Sequence, residues 1–306
     1  MRHGDASAVP RRVWIFLAVG LLAASQSGNI IRIGDAHPVA IAAWRLLIAT
    51  ALLLPITGRR LLRQLKRLGR LDALLAGAAG AALAAHFFAW IAAVQMTTVA
   101  GAAVVFAVNP VITASAAWAL FRDPVSLRLA ISILLGLGGV AVLGWDDLSF
   151  APEHLPGDGM ALVCSLLFTV YFLLGKRLRR GLDTDVYVTA VYGAAAVVSL
   201  ATLLALDLPL VGYGARNWLC FGLMALVPTL IGHTSFNNAV AWIPAGRITA
   251  LMLSEPVLAG LVAAWAWGER PSPGLGLGYA LICASVLVLV LERRTPRPGG
   301  NAGRAS

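Results

Sequence analysis

Charge is scarce in this chain: Asp, Glu, Lys and Arg make up 12% of its 306 residues, against about one quarter in a soluble domain. That scarcity excludes a soluble enzyme. Lysine is almost absent, with 2 residues against 22 arginines. Cysteine is limited to Cys164, Cys220 and Cys283, each inside an apolar run and none at the spacing of a metal site or redox pair. They read as small apolar fillers, and neither a metal nor a cofactor is implied. The sequence has no HExxH, no Walker-type phosphate loop and no GxGxxG. Arg32-Ile33-Gly34-Asp35 lacks the leading glycine of a GxGD aspartyl-protease motif. ATP-driven pumping therefore has no support, and an intramembrane enzyme ranks low. A channel ranks low as well, for want of a repeated polar stripe or ring of like charge.

Apolar residues are abundant, at 59% with a mean hydropathy of +0.82. A helix needs about 20 apolar residues to cross a bilayer core. Ten runs qualify as an all-α membrane protein: Val13–Ile31, Pro38–Ile56, Ala73–Met96, Thr98–Phe121, Leu129–Trp145, Gly159–Gly175, Tyr187–Leu206, Trp218–Trp242, Ile248–Trp267 and Gly274–Leu291. The third and fourth, and the eighth and ninth, are divided at the turns Gln95–Thr98 and Ile243–Gly246.

The net charge of +10 is a topology signal and not a nucleic-acid patch. Alternate loops and tails collect 20 of the 24 Lys and Arg residues, the others being Arg32, Arg216, Arg270 and the intramembrane Arg45. The positive-inside rule then puts both termini in the cytoplasm and turns the acidic segment Asp146–Asp158 outward. Reading the N-terminus as a cleaved signal ending at Ala23-Ala24-Ser25 would leave nine spans and spoil this alternation. Trp14, Trp118, Trp145, Trp218, Trp242 and Trp267 fall near span ends, as interfacial anchors do.

A shift of 146 positions superposes Pro110 on Pro256, Val111 on Val257, Ala117 on Ala263, Asp123 on Glu269 and Ser126 on Ser272. The expected organisation is a cytoplasmic tail (1–12), a first five-helix repeat (13–145), an outward linker (146–156), a second repeat (157–291) and a disordered cytoplasmic tail (292–306). Five crossings is an odd number, so the two repeats are inverted. Secondary transporters use this construction around a midplane site.

The stretches Ala107-Val108-Asn109-Pro110-Val111, Leu253-Ser254-Glu255-Pro256-Val257 with Gly268-Glu269, and Val227–Thr234 resemble the drug/metabolite transporter superfamily, in particular its EamA-type ten-helix permeases. The resemblance runs from the first span to Leu291. It implies tandem five-helix repeats, a central cavity, cytoplasmic termini and, usually, export of small metabolites, amino acids or toxic compounds. Asp123 stands where the family more often has Glu, and Asn109 precedes Pro110 where the second repeat has Glu255.

Glu255 lies about 12 Å into the ninth span, where a carboxylate is costly unless paired, hydrated or protonated. It reads as a proton or substrate-amine site, with support of the Pro256 break as the alternative. His233 and Glu255 are equidistant from Pro244, so a hairpin there sets them at similar depth and a contact between them would couple their protonation. Asn237 is one turn further along the face of His233. His86 and Asn109 echo this pair around Thr97 and Thr98, with interhelical hydrogen bonding the first reading for His86. Arg45 reads equally as a buried ion pair or carbonyl clamp and as a holder of a substrate carboxylate. Pro110 and Pro256 are candidate hinges. Trp44, Trp90 and Tyr171 read first as packing or lipid-facing residues, with the wall of an apolar or cation-accepting cavity as the alternative, and the glycine runs at 136–139 and 274–278 read as close helix contacts.

The function expected is secondary active transport, as an exporter of small metabolites, amino acids or drug-like compounds by alternating access, with proton antiport favoured over sodium. An uncoupled facilitator or an importer is the alternative. Partners are the bilayer, a small-molecule substrate, protons and a second copy of the chain. The arginine-, alanine-, leucine- and glycine-rich composition points to a GC-rich bacterial genome, hence the cytoplasmic (inner) membrane.

Overall fold

Inside hydrocarbon every backbone N–H and C=O needs a partner from the protein, which leaves helices and closed barrels as the spanning forms. The structure, a computed structural model, describes residues 9–97, 99–144, 153–179, 181–267 and 275–291, and every regular element among them is helical. The first repeat contains α1 (Arg11–Ser25), α2 (Ser27–Ile31), α3 (Pro38–Leu65), α4 (Arg70–Met96), α5 (Val99–Phe106), α6 (Asn109–Phe121) and α7 (Leu127–Leu143). The second contains α8 (Leu155–Leu178), α9 (Thr184–Ala205), α10 (Ala215–Met224), a π-helical segment (Ala225–His233), α11 (Thr234–Ala239), α12 (Ala245–Met252), α13 (Glu255–Trp267) and α14 (Leu275–Val290). Joined across short breaks they give eight long apolar stretches and two shorter ones, Leu127–Leu143 and Gly276–Val290. The chain is an all-α, multi-pass membrane protein. Trp145, residues 146–152 of the expected linker, residues 1–8 and 292–306 of the tails, and Glu269 and Ser272 of the repeat match lie outside the described residues.

Two breaks fall where the prolines require them. Proline has no N–H to bond the carbonyl four residues back, and it disfavours helical geometry in the residue before it. For Pro110 that carbonyl belongs to Phe106, and for Pro256 to Met252. Helices α5 and α12 end at these two residues, and α6 and α13 restart at Asn109 and Glu255.

Several helices outrun the expected spans. Helix α3 continues nine residues past Ile56, because the charged stretch read as a loop is a helical extension held to the next repeat. Arg60 pairs with Asp185 at 2.5 Å, and Gln64 donates to Asp183 at 2.6 Å. Helix α8 likewise carries Lys176 and Arg177 in its last turn, where cations complement the helix dipole.

Contacts at the two ends establish the inversion. One end brings together Arg60 with Asp185, Arg177 with Asp72 (3.4 Å), Lys176 with Asp123, and Arg128 with the carbonyl of Leu291 (3.0 Å). The loop joining α3 to α4 is therefore at this basic end. The loop joining α9 to α10, its counterpart in the second repeat, is at the other. There Trp44 donates to the carbonyl of Leu210 (3.1 Å), and the Asn217 side chain accepts from the backbone of Asp35 and Ala36 at 3.0 and 3.1 Å.

The packing follows the same two-fold pattern: α3 on α9, α6 on α12, α7 on α14, with α4 on α8 answered by α1 on the π-helical segment and α11. Small residues let the backbones approach. A Cβ on Gly139 would stand 2.8 Å from the carbonyl oxygen of Gly278 and 2.7 Å from Ile282 Cγ1. Gly139→Val is expected to lower the thermal unfolding midpoint in detergent, at a cost of about 1–3 kcal/mol. Gly138→Val, which meets nothing within 4 Å, is the neutral control.

Candidate functional site

A cavity of about 720 Å³ lies between the repeats, where the breaks of the fourth and ninth spans face each other. Asn109 and Pro110 line it from the first break, and Glu255 and Pro256 from the second. Its lining runs through Ser27, Asn29, Trp90 and Tyr279 to Arg32, Gly34, Gln95 and Thr97 at the end opposite the basic one. The walls are tied together by polar contacts. Trp90 donates to Ser27 Oγ at 3.0 Å, and Asn29 donates to the carbonyl of Ala259 at 3.1 Å. Glu255 Oε1 is buried without a hydrogen-bond partner.

A second, smaller cavity of about 50 Å³ continues from this one. Ala24, Ser27, Trp90, Phe106, Met252 and Glu255 line both. Arg45, His86, Phe87, Phe168, His233 and Phe236 are among the residues lining the small one. Sequence spacing set Glu255 and His233 at similar depth, and the two do face one small space. No hydrogen bond joins them: Glu255 Oε1 and His233 Nδ1 are both unpartnered. His86 is committed elsewhere, its Nδ1 lying 3.0 Å from the Cys164 carbonyl and 3.1 Å from the Cys164 sulfur. Its ring is 5.9 Å from that of His233, centroid to centroid.

The position of Arg45 follows from a local anomaly in the eighth span. Pro228 has no N–H for the carbonyl of Met224, so the Thr229 hydroxyl donates to that carbonyl instead, at 2.7 Å. The chain widens into π-helix over Ala225–His233, the rare form that often marks functional sites. Thr229 Oγ1 is then free to accept from Arg45 Nε at 2.9 Å. The guanidinium carbon lies over the Phe87 ring, 3.6 Å from its centroid, a cation–π arrangement. Arg45 is 1% exposed.

The two remaining candidates are structural in their observed bonding. The Asn109 amide donates to the carbonyl of Ser165 (2.9 Å) and to Thr169 Oγ1 (3.1 Å), tying α6 to α8 at the cavity wall. Asn237 donates to the carbonyl of His233 (2.8 Å) and to the Tyr171 hydroxyl, and it lines neither cavity. Trp90, read as packing or lipid-facing, lines both cavities. Trp44 and Tyr171 are packing residues, Trp44 against Trp218 at 4.7 Å between centroids. Thr229 escaped notice, although Pro228-Thr229 in mid-span was a visible signal.

The profile of the EamA-like transporter family matches residues 12–145 and again 155–291. The chain belongs to the EamA-like transporter family. Among EamA-like relatives, an uncharacterized transporter, YwfM, of Bacillus subtilis (strain 168) is 29% identical over 200 residues, 64% of this chain and 66% of the relative, just under two thirds of its length. An uncharacterized transporter of Archaeoglobus fulgidus is 26% identical over 65% of this chain and 70% of its own. The aromatic amino acid exporter YddG of Ancylobacter novellus is 27% identical over 53% of this chain and 56% of its own. A solved structure titled only as the crystal structure of a protein superposes with a TM-score of 0.76 at 21% identity, covering 92% of this chain and 98% of the other. That likeness carries the fold.

Removing the Thr229 hydroxyl strands the buried Arg45 Nε–H. Thr229→Val is expected to destabilise this EamA-like protein by about 1–3 kcal/mol, and Thr229→Ser to remain near wild type. Thermal unfolding in detergent distinguishes them.

Proposed function

We propose that this EamA-like transporter is a secondary active exporter of small metabolites, with amino acids among its substrates, working by alternating access and exchanging protons at Glu255. The observation that carries the reading is a carboxylate with an unpartnered, buried oxygen at the meeting point of two cavities between inverted repeats. Ionisable groups inside a membrane span are costly and tend to mark transport pathways. The aromatic amino acid exporter among the relatives supports the substrate class. The helix breaks before Pro110 and Pro256 supply hinges at the depth of the site. In the state described, the Lys176–Asp123 pair, with Asp123 also accepting from the Ala245 backbone at 3.4 Å, holds α6, α8 and α12 together at the basic end. Exchange of a proton for substrate at Glu255 is the event that would release this closure.

The charge distribution supports cytoplasmic termini and the composition a bacterial inner membrane, which together make the described state outward-open. A Gln95→Cys variant is then expected to react with a membrane-impermeant thiol reagent added to intact cells. Labelling only after the membrane is permeabilised reverses the orientation.

The transport reading is tested by metabolite profiles of medium and cytosol from cells with wild type, Glu255→Gln or empty vector, at matched surface expression. A compound enriched outside only with wild type is expected. In proteoliposomes its flux should respond to an imposed pH gradient with wild type, and be at least ten-fold slower and indifferent to the gradient with Glu255→Gln. Equal, gradient-sensitive flux in both proteins would return Glu255 to a structural role.

A further inference from the structure

We propose that the small cavity is a carboxylate subsite built on Arg45, so that the substrates of this transporter are monoacids whose carboxylate docks there while an apolar body lies in the large cavity against Trp90 and Phe106. This rests on the transporter reading above and names its substrate class. Arg45 is a fully desolvated cation without an anion. Its Nε is used on Thr229, and among the described residues no protein acceptor meets its two terminal nitrogens and no carboxylate pairs with it. Other cations of the bundle do have acids: Lys176 has Asp123, Arg60 has Asp185 and Arg177 has Asp72. An uncompensated charge at this depth costs several kcal/mol, and a guanidinium presents a planar fork matched to a carboxylate.

The geometry fixes how a ligand would lie. The Phe87 ring lies against the guanidinium carbon at 3.6 Å and Thr229 takes Nε, which leaves the two terminal nitrogens for the ligand. A space of about 50 Å³ accommodates a carboxylate and little more. The rest of the molecule must extend past the shared residues into the large cavity, and two of those are the aromatic rings of Trp90 and Phe106, whose centroids are 5.8 Å apart. Glu255 stands at the same junction. A zwitterion therefore bridges the two charges, its carboxylate on Arg45 and its ammonium on Glu255. A doubly charged phosphate fits less well, because one cation faces the space and His86 is engaged with Cys164.

The test is equilibrium binding to the purified full-length protein in nanodiscs, followed by tryptophan fluorescence and by thermal shift. The probes are 3-phenylpropionate, L-phenylalanine and 3-phenylpropanamide. Saturable binding of the two acids is expected, with the amide at least ten-fold weaker and Arg45→Gln abolishing the difference. Where Arg45→Gln does not fold, the acid-against-amide comparison on wild type decides alone. Arg45→Lys, which keeps the charge and loses the fork, is expected to bind the acids several-fold more weakly. An amide that binds as tightly as the acid, or acids that do not bind saturably, would overturn the proposal. Flux measurements separate this from the transporter reading: acid-selective binding without flux sinks transport and keeps the subsite, whereas flux without acid preference sinks the subsite alone.

Discussion

The hydrogen-bonded relay from Arg45 through the Thr229 hydroxyl to the carbonyl of Met224 is the constraint on which the core of the bundle depends. A guanidinium this deep would be untenable on a free helix. It is held because a proline in the neighbouring repeat removes one backbone donor, a threonine hydroxyl replaces that donor, and the same hydroxyl accepts from the arginine. One local defect thereby joins the second span to the eighth across the boundary between repeats. The π-helical segment has further effects. Gly232 within it lies against Ala24, where a Cβ would come within 3.1 Å of the Ala24 backbone, and Ala24 begins the wall shared by both cavities. The position of that wall is thus fixed by a proline one helix away.

Closure and opening rest on different kinds of contact. At the basic end Arg60–Asp185 and Arg177–Asp72 are solvent-accessible pairs and individually weak, whereas Lys176–Asp123 is largely buried. The midplane is joined by buried hydrogen bonds among Asn109, Ser165, Thr169 and Thr113, which break only at the cost of stranded polar groups. The α7–α14 pair is joined by interlocked glycines and by Ser132 with Ser285 at 3.0 Å.

The fold was largely legible in the sequence, because two strong signals agree: apolar length and the alternation of arginine between loops. The proline at position 110 and its counterpart at 256 were enough to locate the mid-span breaks. Helix ends were legible only to within a few turns. Arg59–Arg63 looks like a loop to a hydropathy reading, yet α3 continues through it because Asp183 and Asp185 of another repeat meet it. The site was legible in part. Depth arithmetic brought Glu255 and His233 to one space, since helical rise is constant. It gave no rotation about the helix axis, so which of Asn237 and Trp90 faces a cavity was not legible, and in the structure it is Trp90. The role of Thr229 was legible only as a mid-span Pro228-Thr229 step: its importance comes from a π-helical widening that changes which residues share a face, and no 3.6-residue periodicity announces it.

The two helix breaks share a backbone and differ in what their preceding side chain does. Asn109 has both amide contacts filled by α8, whereas Glu255 presents an oxygen with none. The two-fold relation between repeats is therefore kept by the main chain and abandoned by the chemistry. Two copies of the first half would assemble with two latches and no ionisable group at the break, and two copies of the second would set a pair of carboxylates facing each other in a low-dielectric cavity. Neither half can stand in for the other, so a swap of the two halves' break chemistry would not be silent even where the backbone is unchanged.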